Sequence, residues 1–156
     1  MNHQRRTLLK ASMATGAVAV AVGAGLLTPQ AVLAAWPTEA FQAKEMDDAL
    51  TALWKNNQIT PSKDIELEAP DIAENGAVVS VAVKTSIPNA EQISIFVPEN
   101  VSALTASYIL TAETEGLITS RIKMRKSSDV IAVVKAGDKL YMTKKPIKVT
   151  LGGCGG

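Results

Sequence analysis

Val130-Ile131-Ala132-Val133-Val134-Lys135-Ala136-Gly137-Asp138-Lys139-Leu140-Tyr141-Met142-Thr143 decides the fold. Its first part is nearly all apolar and rich in β-branched residues, as in a buried strand. Ala136-Gly137-Asp138 then supplies a turn into Lys139-Leu140-Tyr141-Met142-Thr143. Lys144-Lys145-Pro146 leads into a last strand, Ile147-Lys148-Val149-Thr150-Leu151.

Working back toward the N-terminus, more strands of similar length appear. Leu117 to Met124 alternates after Gly116, and Gln92-Ile93-Ser94-Ile95-Phe96-Val97 is bounded by Pro88-Asn89 and Pro98-Glu99-Asn100. Val78-Val79-Ser80-Val81-Ala82-Val83 follows the Asn75-Gly76 turn signal, and Asp64-Ile65-Glu66-Leu67-Glu68 has period two. Ser102 to Leu110 is a weaker candidate. Short strands separated by turn residues predict an all-β sandwich, and no βαβ alternation points to a doubly wound fold. Before Thr60-Pro61 the period is helical. Thr38 is a candidate N-cap with Glu39 in the first turn, and Phe41, Met46, Ala49, Leu50, Leu53 and Trp54 form one apolar stripe ending near Asn56-Asn57.

The N-terminus carries a different pattern. Gln4-Arg5-Arg6-Thr7-Leu8-Leu9-Lys10 is a twin-arginine motif, followed by an Ala/Gly-rich apolar stretch and by Val32-Leu33-Ala34, a small-residue cleavage site. The apolar run is too short and too rich in Gly and Ala for a membrane span of roughly 20 residues. The expected organisation is an export signal over 1–34, a domain over 35–151 and a short tail over 152–156, in a protein that works in a bacterial periplasm. Removing Arg5, Arg6 and Lys10 from the 16 basic residues leaves 13, against 15 acidic ones. Such a chain has no attraction for nucleic acid or anionic membrane. His3, the one histidine, leaves with the signal, so the processed chain has neither a histidine base nor a Cys/His metal cluster. No catalytic residue, metal or cofactor is expected, and no phosphate-binding loop or nucleotide motif is present.

The tail Gly152-Gly153-Cys154-Gly155-Gly156 holds the chain's only cysteine. Glycine lacks Cβ and visits both signs of φ, so the sequence predicts a flexible, narrow tether presenting a thiol. Five residues reach on the order of 15 Å. An odd cysteine in an exported protein indicates intermolecular pairing or a reactive thiol. With only glycines around it, and Lys148 six residues back, Cys154 is expected to keep a near-normal or slightly raised pKa and to depend on partners for activation. Lys123, Arg125, Lys126, Lys139, Lys144, Lys145 and Lys148 concentrate in the C-terminal third. They form either a solvated strand face or a surface that orients the protein toward its enzymes or an anionic cargo. Charge reversal at Lys144 and Lys145 is the test this reading suggests.

Three stretches together resemble SoxY, the sulfur-carrier subunit of the bacterial thiosulfate-oxidising (Sox) system. They are Ala69-Pro70-Asp71-Ile72-Ala73-Glu74-Asn75-Gly76-Ala77-Val78-Val79, Thr119-Ser120-Arg121-Ile122-Lys123, and Val149-Thr150-Leu151-Gly152-Gly153-Cys154-Gly155-Gly156 with its terminal GGCGG signature. The resemblance runs from about residue 36 to the end. It departs from the family at Asn100-Val101-Ser102, where an Asn-Pro pair is usual. It implies an immunoglobulin-like antiparallel sandwich paired with a SoxZ-like subunit of related fold, and Cys154 as the covalent attachment point of sulfur substrates. It further implies a cytochrome complex that joins thiosulfate to Cys154 as a thiosulfonate, a hydrolase that releases sulfate, and, where present, a sulfur dehydrogenase acting on the remaining sulfur. The twin-arginine route moves folded proteins, consistent with co-export of a folded SoxZ-like partner.

Three other readings compete. The Gly155-Gly156 ending is shared with ubiquitin-like carriers that hold sulfur as a thiocarboxylate, but that chemistry needs ATP and fits poorly with export. An exposed cysteine could instead act as a structural staple, forming a disulfide-linked homodimer or a permanent link to a partner. A thiol–disulfide oxidoreductase would need a C-x-x-C pair, which is missing.

Overall fold

The computed structural model describes residues 37–111 and 114–151. The expected export signal with Arg5 and Arg6, and Gly152, Gly153, Cys154, Gly155 and Gly156, lie outside the described residues. Two short helices, α1 (Thr38–Gln42) and α2 (Met46–Trp54), precede the strands β1 (Ile59–Pro61), β2 (Ile65–Glu68), β3 (Ile72–Ala73), β4 (Val79–Thr85), β5 (Ala90–Phe96), β6 (Leu104–Ile109), β7 (Leu117–Ile122), β8 (Ser128–Ala136) and β9 (Lys139–Val149). One sheet runs β1-β9-β8-β5-β6 with β3 added to β9, and the other runs β2-β4-β7.

Period-two alternation sorts the side chains into two cores. Ile93 and Ile95 of β5, and Val130, Ala132 and Val134 of β8, face Val79, Val81, Val83 and Ile122 of the smaller sheet. Phe96, Ile131 and Val133 point the other way, onto Ala40, Ala49 and Leu50 of the helices. Both faces of β8 are therefore covered, which is why its sequence reads as an unbroken apolar run. The pairing is antiparallel except where β1 and β3 add in parallel to the outer edge of β9.

Three expectations are corrected. First, the single N-terminal helix is two. A continuous helix would bond the carbonyls of Phe41 and Ala43 to amides four residues on. Those acceptors are instead taken by the Ser102 hydroxyl at 2.6 Å and the Ala103 amide at 3.1 Å. Second, Pro37 holds the cap position of α1 and Thr38 is its first helical residue, with no side-chain cap bond. Third, Pro146 does not separate two strands. β9 pairs with β8 from Lys139 to Ile147 without a break. Counting alternate pairs from the two-residue turn Gly137-Asp138 puts the Pro146/Asp129 pair at a non-hydrogen-bonded site, so the nitrogen of Pro146 points away from β8. There the outer edge of β9 has no strand partner, because β1 ends opposite Met142 and β3 begins opposite Lys148. A proline costs nothing at such a position.

The helical layer is tied down by a polar chain. Trp54 donates its indole N–H to Gln92 Oε1 at 2.8 Å, Gln92 donates to Ser107 Oγ at 2.7 Å, and Ser107 meets the fully buried Ser94 hydroxyl at 2.7 Å. Tyr108 donates to Ser120 at 2.6 Å and bridges the open edges of the two sheets. Trp54→Phe keeps an aromatic ring on the helix but loses the indole N–H, and with it one bond to a half-buried partner, together with part of the side-chain volume. It should cost about 1 kcal/mol in urea unfolding. At the hairpin end, a hydrogen bond from Lys135 and then its positive charge hold the Glu91 carboxyl below its usual range. The stabilisation from this pair is present above the ordinary glutamate range and is lost as pH falls through the depressed value. Lys135→Met should return the Glu91 titration to the ordinary range, read by side-chain NMR.

Candidate functional site: the root of the C-terminal arm

The described part of the site is the place where the chain leaves the sandwich. β3 runs parallel to the end of β9, pairing Ile72 with Lys148 and Ala73 with Val149. The Lys148 amide donates to Asp71 O at 3.0 Å and the Thr150 amide to Ala73 O at 3.1 Å. The Thr150 hydroxyl donates to Glu74 O at 2.9 Å. On the other side, the Val149 amide donates to Ser127 Oγ at 2.9 Å. Gly76 closes the set: its N–H donates to Leu151 O at 2.7 Å, and its carbonyl accepts the Met124 amide at 2.7 Å. Backbone order is thus imposed from two segments, 71–76 and the loop at Ser127, up to Leu151, the last residue before the four glycines and Cys154.

The turn that makes this possible is local. The Asn75 side chain accepts the Ala77 amide at 2.8 Å, an Asx turn that aims Gly76 at the end of β9. Lys145 pins the segment before it, pairing with Asp71 Oδ1 at 2.9 Å and donating to Ala69 O. Asp71 is largely exposed, so the charge pair itself contributes little, and the bond to the backbone carbonyl is the positional constraint. The Ala69–Val79 stretch therefore clamps the arm root. Thr150, Gly76 and Ser127 were not legible as clamp residues, and Lys145 was legible as a surface cation but not as the brace of the Ala69–Asp71 segment. The Asn75-Gly76 pair was the one available signal, and it points to a turn without saying what the turn holds.

The structure sorts the seven C-terminal cations. Lys126 pairs with Glu99, Lys144 with Asp129 and Lys145 with Asp71. Lys123, Arg125, Lys139 and Lys148 have no carboxylate partner among the described residues. No group of His, Cys, Asp and Glu among the described residues could hold a metal ion, and no described helix is long and apolar enough to cross a membrane.

An immunoglobulin-like β-sandwich whose last strand is clamped just ahead of a single terminal cysteine defines the class. The model of the sulfur oxidation protein SoxY matches residues 50–154. The structure of the sulfur carrier protein SoxY from Chlorobium limicola f thiosulfatophilum is 42% identical, with a TM-score of 0.63, and the match covers 69% of this chain and 97% of that one. The chain belongs to the SoxY family. A lytic polysaccharide monooxygenase from Jonesia denitrificans is far more distant, at 11% identity and a TM-score of 0.38 over 67% of this chain and 71% of that one. A search of curated proteins gave no match.

Thr150→Val preserves the β-branched shape and removes the bond to Glu74. The expected result is local loosening, with hydrogen exchange of the Gly76 amide faster by about tenfold and exchange in β8 unchanged. Equal acceleration in both places would mean a global effect instead.

Proposed function

We propose that the protein is a periplasmic carrier that holds sulfur intermediates covalently on Cys154 and presents them to partner enzymes in thiosulfate oxidation. The observation that carries this reading is the match to SoxY, which extends through position 154, on a chain whose root is clamped up to Leu151. The 42%-identical Chlorobium protein bears the description of a sulfur carrier. Arg5 and Arg6 would direct export by the twin-arginine route, with cleavage after Ala34. A SoxZ-like subunit would be the stable partner.

The chemistry follows from a thiol on a short tether. In the first step the Cys154 thiolate and thiosulfate join through a new S–S bond, giving Cys–S–S–SO3⁻. The two electrons released pass to a cytochrome complex. In the second, water attacks the sulfone sulfur and the S–S bond to it breaks, leaving Cys–S–SH and sulfate with release of a proton. A sulfur dehydrogenase, where the organism has one, would oxidise the remaining outer sulfur. Each partner supplies its own catalytic groups. The carrier contributes the attachment atom, the reach and the docking surface, and is itself not a catalyst.

Intact-protein mass spectrometry of the periplasmic form from thiosulfate-grown cells tests this reading. Reductant-labile sulfur or thiosulfonate on Cys154 is expected, together with loss of the adduct and of thiosulfate-dependent respiration in Cys154→Ser. A bare thiol, or only a disulfide-linked homodimer, in actively oxidising cells would overturn it in favour of the structural staple.

A further inference from the structure

Half of the cations near the arm root are cancelled locally. Lys126, Lys144 and Lys145 each have a carboxylate partner. Among the described residues, Lys123, Arg125 and Lys148 keep their charge unpaired around the root, and Glu74 is an unpaired carboxylate beside them. The processed chain as a whole carries more acidic than basic residues. A net positive patch therefore stands at the arm end of a net negative molecule. Lys139, the fourth of the seven C-terminal cations named above without a carboxylate partner, belongs elsewhere. It opens β9 at the hairpin end, ten residues from Val149 and roughly 33 Å away along the strand.

Lys123 and Arg125 are presented on a fixed backbone. Met124 between them is fully buried, so both flanking side chains turn outward. The Asn100 carboxamide bridges the pair, donating to Lys123 O at 2.7 Å and accepting the Arg125 amide at 2.9 Å. The Met124 amide is bonded to Gly76, which is bonded in turn to Leu151. One residue thus separates the cationic segment from the arm root. Beside it lies a shallow groove of about 220 Å³ reaching from Lys123 and Arg125 to the exposed Val101. Leu151 and Ile72 add exposed apolar surface at the root itself.

We infer that Lys123 and Arg125, with the apolar surface of the root, form a docking surface for an acidic rim around the entrance through which a partner enzyme receives the arm. The inference rests on the carrier reading above and names the chemistry of the partner surface. A charge fixed at the root keeps its contact while Cys154 is inside the enzyme. Cationic groups aimed only at the cargo would lose it. Exposed charge pairs are weak and salt-screened, enough to orient an encounter and too little to hold the product complex.

The test uses the processed protein in complex with its SoxZ-like subunit and, as probe, the purified thiosulfate-coupling cytochrome complex of the same organism. The rate of adduct formation on Cys154 is followed by intact mass. The double variant Lys123→Glu/Arg125→Glu should load about tenfold more slowly at low ionic strength and approach the wild-type rate near 0.5 M salt, where screening is strong. Lys139→Glu should match the wild type. Alkylation by neutral iodoacetamide should be equal in all three, showing an unaltered thiol. Enzyme-free loading with tetrathionate separates partner from cargo. There the Cys154 thiolate attacks a central sulfur, a new S–S bond gives Cys–S–S–SO3⁻, and thiosulfate leaves with the electron pair of the broken bond. An unchanged enzymatic rate in the double variant would overturn the docking surface. So would an equal slowing with tetrathionate, because the cations would then be acting on the small anion. A wild-type protein that acquires no adduct from the cytochrome complex would remove the carrier reading and the docking surface with it.

Discussion

The pairing of β8 with β9 is the constraint on which the rest depends. It runs over the whole of β8, from the Ala136/Lys139 pair at the hairpin to the Ser128/Ile147 pair at the far end. β8 brings β5 and, through it, β6 into the sheet, and it offers its two faces to the two cores. β9 receives β1 and β3 on its outer edge and then delivers the chain to the arm root. A register slip of one residue would turn Val130, Ala132 and Val134 out of the sandwich core and displace the root at the same time. The burial that stabilises the domain and the placement of the thiol are thus set by one ladder.

At the end of that ladder the demands on the chain reverse. Up to Leu151 the backbone is held by Asp71, Ala73, Glu74 and Gly76 from one segment and by Ser127 from another. Beyond it the sequence supplies glycine, the residue with the largest loss of conformational freedom on ordering. At the root itself the clamp uses backbone groups and small hydroxyls, with the one long side chain, Lys145, bracing the preceding segment at Ala69 and Asp71. That leaves the root slender, with its nearest bulky neighbours, Ile72 and Leu151, turned to solvent.

Elements with a strong period were legible. Val79, Val81 and Val83 alternate with Ser80, Ala82 and Lys84, so one buried face could be read directly. The continuous apolar run of β8 pointed to burial, and the structure supplies the reason, a helical layer on one face and a sheet on the other. β1 and β3 were illegible because three and two residues are too few to show a period, and their pairing exists only once β9 is in place. The break between α1 and α2 was hidden because Ser102, which takes the carbonyl of Phe41, lies 61 residues away. At the site, Cys154 stood out by composition alone. Asn100, which organises Lys123 and Arg125, looked like an ordinary turn residue, because its partners come from the far side of the sandwich.

Under the proposed carrier role, the clamp would also let weak docking support chemistry. Cys154 lies three residues past Leu151, a span of about 10 Å at full extension. Once a partner has engaged the root, the thiol is confined to that radius, an effective concentration of roughly millimolar or above for a short tether. An unclamped root would lengthen the tether by the residues it released and dilute the thiol accordingly. A few exposed charges and a small apolar surface can then suffice for an encounter, since the tether, and not the interface, supplies the proximity. The same arrangement favours release, because a small interface with exposed charge pairs is screened and short-lived. If, as proposed, the chain visits several enzymes in turn, fixing the root serves both capture and departure.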